Sequence, residues 1–239
     1  MHEKNERQIK IALKSGERGG GEKRTGSSAR IVLPAAMNYN GGDERPGNPA
    51  EERKRTMKIL MLGNSFTSSN GLPERLAERT GAEVIAHTRG GARLSEQLNP
   101  ATRLGRATAA ALEGERFDYV VLQEMSHGPV TAPERYRDSV KGLCARIRQN
   151  GALPVLYATW AYRSGDRFYE KTGLNQQEMF RELHRVCTLA AEENGALIAP
   201  VGEALRTRLP EEERYAPDGR HPSPAATEIA AEVLAAALK

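Results

Sequence analysis

From Met57 onward, short apolar runs alternate with helix-length segments, and this alternation limits the fold more than any other feature of the chain. The runs are Lys58–Leu62, Glu83–His87, Phe117–Gln123, Pro154–Thr159 and Ala196–Ala199. The third is continuous enough to be a central strand buried on both faces. Between the runs, Pro73–Thr80 reads as a helix with Pro at its first position and Gly81 past its end. Asn99-Pro100 opens a helix to about Gly114, with Asn99 as its N-cap. Thr131-Ala132-Pro133-Glu134 has capping-box spacing and starts a helix ending near Gly151. Asn175–Asn194 carries Met179, Leu183, Val186 and Ala190 on one face and closes at Gly195. Ser223-Pro224 opens the last helix, Ala225–Leu238. Strands joined in this way predict an α/β domain: five parallel strands with right-handed crossovers, covered on both faces.

Residues 1–56 have a different character. They are rich in Gly, Arg, Glu, Lys and Asn, with Tyr39 the only aromatic. Such a segment cannot bury enough apolar surface to offset its ordering entropy, so it is expected to be a disordered basic segment. Met57 is expected to be the natural start of translation. The domain would then be residues 57–239. The formal net charge of +4 falls wholly within residues 1–56. The basic balance therefore gives no reason to expect nucleic acid as a partner, and the arginines of the domain are not interleaved with aromatics.

No run is apolar enough to span a bilayer, and no secretory signal is visible. A cytoplasmic protein without membrane contact is expected. Cys144 and Cys187 lie on separate expected helices without a Cys-x-x-Cys spacing, and read as buried hydrophobes. No metal or cofactor site is expected. Gly-rich nucleotide-binding strings are absent from the sequence.

Ligand sites in parallel sheets lie at the carboxyl ends of the strands. Four features converge there. Gly63-Asn64-Ser65-Phe66-Thr67 follows the first strand, Gly90-Gly91 the second and Gln123 the third. Asp218-Gly219-Arg220-His221-Pro222-Ser223 precedes the last helix. A serine hydroxyl is a poor nucleophile unless a base takes its proton as it attacks. His221, with a reference pKa of about 6.5, can be that base. Asp218 can hold the histidine Nδ1–H and so turn Nε2 toward Ser65. The oxyanion formed on attack needs preorganised donors. The Ser65 N–H, a glycine N–H after the second strand and a side-chain amide after the third are the candidates. Trp160 and Tyr162 follow the fourth strand on the same edge, where their faces can either stack on a sugar ring or pack partly into the core.

These blocks, in this order, resemble those of the SGNH (GDSL-type) hydrolases across nearly all of residues 57–239. They look closest to a bacterial branch with a GNSF first block, an LQ third block and a DG-x-HPS fifth block. The resemblance implies a flavodoxin-like, three-layer α/β/α fold and esterase, lipase or carbohydrate deacetylase activity without a metal. By motif, Ser65 matches the nucleophile and its N–H an oxyanion donor, His221 the base and Asp218 its orienter. The second-block donor should be Gly91, with Gly90 its rival. Gln123 is the third donor, with Ser126 the alternative. Two departures stand out: Asn64 replaces the Asp of the name motif, and Leu122-Gln123-Glu124-Met125-Ser126 replaces the Gly-x-Asn-Asp string. Asn64, Gly90 and Trp160 are expected near the substrate.

The expected reaction is hydrolysis of a short acyl ester, foremost an acetyl group on a carbohydrate, through an acyl-enzyme. The partner would be a small-molecule or glycan acyl ester. The competing readings are a catalytically silent glycan-binding domain and an acyltransferase using the same triad.

Overall fold

The computed structural model describes residues 55–238. The expectations about the N-terminal segment up to residue 54 lie outside these residues. Five parallel strands form one sheet in the order β2-β1-β3-β4-β5. They are β1 (Lys58–Gly63), β2 (Glu83–Thr88), β3 (Tyr119–Leu122), β4 (Leu153–Tyr157) and β5 (Leu197–Ala199). The helices are α1 (Ser65–Ser68), α2 (Leu72–Thr80), α3 (Leu94–Leu98), α4 (Arg103–Gly114), α5 (Gly128–Thr131), α6 (Pro133–Asn150), α7 (Arg167–Thr172), α8 (Gln176–Asn194), α9 (Val201–Arg208), α10 (Glu211–Arg214) and α11 (Pro224–Ala237). Strand order reverses direction beside β1, so the crevice between the ends of β1 and β3 is the switch point where such sheets bind ligands.

Alternate residues of each strand supply the two faces of the core. Ile59, Met61, Val121 and Val155 meet buried residues of α2, α9 and α11 on one side. Leu60, Leu62, Val120 and Leu156 meet α6 and Leu112 of α4 on the other. Helix α8 serves both, with Met179 and Leu183 on the first face and Val186, Cys187 and Ala190 on the second. Cys144 and Cys187 are buried free thiols, each pushed up to about 11 by burial.

Two expectations about elements are corrected. The helix expected from Asn99 begins only at Arg103, as α4, and a separate helix, α3, ends just before Asn99. Thr102 caps α4, accepting from the Gly105 N–H at 2.9 Å, while the Asn99 N–H closes α3 on the Ser95 carbonyl. The Thr131–Glu134 capping box does not form. Thr131 instead donates to the His127 carbonyl at 3.0 Å and finishes α5, so α6 starts with no side-chain cap. Helices α7, α9 and α10 fall in segments to which the sequence assigned no helix. By contrast Asn175 and Glu178 form a complete capping box on α8.

Candidate active site

The sharp turn after β1 depends on Gly63. A Cβ there would lie 2.3 Å from Thr67 Oγ1 and 2.7 Å from Gln123 Oε1. Asn64 then caps α1: its Oδ1 accepts the Phe66 N–H at 3.0 Å, and its Nδ2 donates to the Ala92 carbonyl at 3.1 Å. One buried amide thus starts the helix and ties it to the loop after β2. Ser65 is the first residue of α1, where a backbone N–H has no intrahelical acceptor.

Ser65 Oγ lies 2.8 Å from His221 Nε2. The other ring nitrogen, Nδ1, lies 2.5 Å from Asp218 Oδ2. An ionised carboxylate can only accept, so Nδ1 carries the proton and Nε2 faces the serine with its lone pair. Asp218 Oδ1 accepts the N–H groups of Arg220 and His221, each at 3.0 Å. Gly219, at φ +73°, makes this turn without strain. Burial tends to raise the Asp218 carboxyl. The hydrogen bonds from the His221 ring and the two backbone N–H groups outweigh it and hold the carboxyl below its ordinary range. The structure therefore brings Ser65, His221 and Asp218 into one hydrogen-bonded chain.

The histidine loop is braced from outside. Trp160 Nε1 donates to the Arg220 carbonyl at 2.9 Å. Asn70, at φ 52°, donates to the Pro222 carbonyl at 2.9 Å and to Thr227 Oγ1 at 2.8 Å. It thereby joins the nucleophile turn to the histidine loop. Asn70 was not singled out in the sequence, although Asn-Gly is a strong turn signal that could have found it. Phe66 stacks flat on Trp160 at 4.7 Å and sets its ring edge-on to His221 at 5.3 Å.

Two expected roles do not survive this geometry. Trp160 is 2% exposed and its face is covered by Phe66, so it packs the site instead of offering a surface to a sugar. Gln123 is fully buried and its amide is engaged beneath the nucleophile turn. Its Oε1 accepts from the Asn64 N–H and from Thr67 Oγ1, both at 2.9 Å, and its Nε2 donates to the Glu124 carbonyl. Flipping the amide would set an NH2 against the Asn64 N–H. Gln123 is therefore a strut and not an oxyanion donor. The alternative, Ser126, is also engaged, with its Oγ 2.5 Å from Tyr162 OH.

The loop after β2 leaves Gly90 and Gly91 exposed, and only Gly91 has a left-handed φ, +66°. Asn64 is 2% exposed and works as a cap and strap. His127 Nδ1 lies 2.8 Å from Tyr162 OH, and burial, then Arg93 and Arg220, lower its pKa. Beyond Trp160, a cavity of about 410 Å³ is lined by Phe180, Arg206 and Glu211, and Ser65 is not among its lining residues. Among the described residues no three His, Cys, Asp or Glu side chains gather at metal-binding range. No helix among them is long and apolar enough to cross a membrane.

No protein-family model and no curated protein matches the chain. Solved structures do. A candidate SGNH hydrolase from Slackia heliotrinireducens is 48% identical, over 77% of this chain and 100% of its own, with a TM-score of 0.75. A DUF4886 family protein from Bacteroides uniformis is 22% identical, over 77% and 83%, with a TM-score of 0.61. A variant of Axe2, an acetyl-xylooligosaccharide esterase from Geobacillus, is 15% identical, over 76% and 94%, with a TM-score of 0.56. The last two share the fold and nothing finer. At 48% identity along the whole of the Slackia protein, the chain belongs to the SGNH (GDSL-type) hydrolase superfamily and is by class a serine ester hydrolase.

Proposed function

We propose that the protein hydrolyses a short-chain acyl ester, foremost an acetyl ester of a carbohydrate, through an acyl-enzyme on Ser65. The observation that carries this reading is the continuous hydrogen-bond chain from Ser65 Oγ through His221 to Asp218. As Oγ attacks the ester carbonyl, its proton passes to His221 Nε2. The carbonyl π electrons move onto oxygen, which the N–H groups of Ser65 and Gly91 receive. The intermediate collapses, the C–O bond to the alcohol breaks, and His221 returns the proton to the leaving oxygen. A water then repeats the sequence on the acyl-enzyme, with His221 as base, releasing the acid and free Ser65. Asp218 stabilises the imidazolium that forms twice per cycle.

Two features support a small acyl group. Phe66, the apolar neighbour of Ser65, is turned into the core at 4% exposure, so the nucleophile turn lines no apolar acyl channel of its own. A structural neighbour is described as an acetyl-xylooligosaccharide esterase, which makes acetylated xylo-oligosaccharides the natural first panel of substrates.

Hydrolysis of p-nitrophenyl acetate by the full chain, beside Ser65→Ala and His221→Ala, tests the proposal. Turnover in the parent and its loss in both variants is the expected result. An inactive parent, or activity that persists in Ser65→Ala, contradicts it. Product analysis with a free sugar present separates hydrolysis from acyl transfer, the two sharing every residue named here.

A further inference from the structure

β3 is followed directly by two consecutive buried polar residues, Gln123 and Glu124. Successive residues of an extended chain point to opposite sides. Gln123 reaches the nucleophile turn, while Glu124 reaches the loop after β2. Glu124 Oε2 accepts the Leu94 N–H at 3.0 Å, and among the described residues Oε1 has no hydrogen-bond partner, its nearest cation there being Arg93 Nη1 at 3.9 Å. The molecule makes room for this side chain. A Cβ on Gly128 would lie 2.7 Å from Glu124 Cγ and 2.8 Å from Oε1. The Gly63 hydrogen makes the equivalent room for Gln123. Burial raises the Glu124 carboxyl against its backbone donors and Arg93. Keeping a buried carboxylate with one bare oxygen is costly, so a purpose beyond packing is indicated.

That purpose follows from where the carboxylate holds the chain. The loop from residue 89 to residue 94 is fixed at two points. Asn64 Nδ2 binds the Ala92 carbonyl and Glu124 binds the Leu94 N–H. Gly91 lies immediately before this clamped stretch. We infer that Glu124 is a positioning residue of the oxyanion hole, its carboxylate setting the loop so that the Gly91 N–H meets the oxyanion formed over Ser65. This rests on the acyl-enzyme reading above. Gln123 and Glu124 then divide one task, the first fixing the Ser65 side of the hole and the second the Gly91 side.

Three variants of the full chain test it. Glu124→Ala removes the acceptor and frees the loop. Gly128→Ala keeps the carboxylate but displaces it. Glu124→Gln keeps an acceptor oxygen of the same reach. Losing an oxyanion donor lowers kcat by about 10²–10³. The first two variants should therefore lower kcat on p-nitrophenyl acetate by about 10-fold or more, with KM within about threefold, and Glu124→Gln should recover most of the loss. Amide hydrogen exchange in residues 89–98 should quicken in Glu124→Ala while the strands stay protected. A Glu124→Ala kcat within about twofold of the parent overturns the inference. So does an equal loss in Glu124→Gln that tracks melting temperature, which would be a stability effect. If the parent itself shows no turnover, the acyl-enzyme reading fails on its own. Unchanged exchange at residues 89–98 would then overturn the positioning role independently.

Discussion

Ser65 Oγ and His221 Nε2, 2.8 Å apart, already hold the geometry that proton transfer during attack requires. Part of what keeps them there is the histidine loop's own backbone. Asp218 faces two N–H groups of its own loop as well as the imidazole, so removing its charge leaves the turn able to form. Asp218→Asn should therefore fold normally and lose kcat on the order of 10⁴-fold, because the amide can present an N–H and favour the wrong histidine tautomer. Steady-state kinetics beside a thermal melt check this. Near-parental kcat would show that Asp218 does not orient His221. Gln123 teaches the same lesson from the other side. Its residue type suits an oxyanion donor, yet its amide oxygen is claimed by Asn64 N–H and Thr67 Oγ1. Residue chemistry is legible in a sequence, but which neighbour claims a side chain depends on contacts 56 and 59 residues away.

At the scale of elements, the β1–α1 turn joins strand, cap and nucleophile. Gly63→Ala would force a Cβ to within 2.3 Å of Thr67 Oγ1 and 2.7 Å of Gln123 Oε1. Overpacking of this kind costs about 1–3 kcal/mol. We expect the melting temperature to drop and kcat to fall further than stability alone explains, since the displaced Gln123 releases the Asn64 N–H. Equal activity per folded molecule would contradict the link between strut and nucleophile. The strands and long helices could be read directly because apolar runs and 3.6-residue periods register burial. Asn175 and Ser223 were readable as caps or helix starts because their signal is local, and both cap as side chains. Thr131 was misread because its hydroxyl had a nearer acceptor, the His127 carbonyl. Helix α10, four residues of Glu and Arg, has no apolar period to detect. Asn70-Gly71 is legible as a turn, but its bracing of the histidine loop is not, because its partners, Pro222 and Thr227, are more than 150 residues away.

For the molecule as a whole, two neutral histidines couple stability to pH. His87 and His127 are half-buried, and burial is the first cause lowering each pKa. The unfolded chain binds protons at these sites with a pKa of about 6.5, while the folded chain resists them until lower pH. In the window below about 6.5 the unfolded state holds more protons, so stability falls as pH falls. A melting temperature lower at pH 5.5 than at pH 7.5, with a smaller difference in His127→Gln, is the expected outcome. A difference unchanged in that variant would remove His127 from the account.

If the α/β/α frame serves to present one activated serine, covalent labelling will find it. After treatment with a fluorophosphonate, peptide mapping by mass spectrometry should place one adduct on Ser65 in the parent and none in His221→Ala. An adduct on another residue, no adduct in the parent, or undiminished labelling of Ser65 without His221 would show that Ser65 is not a nucleophile activated by His221.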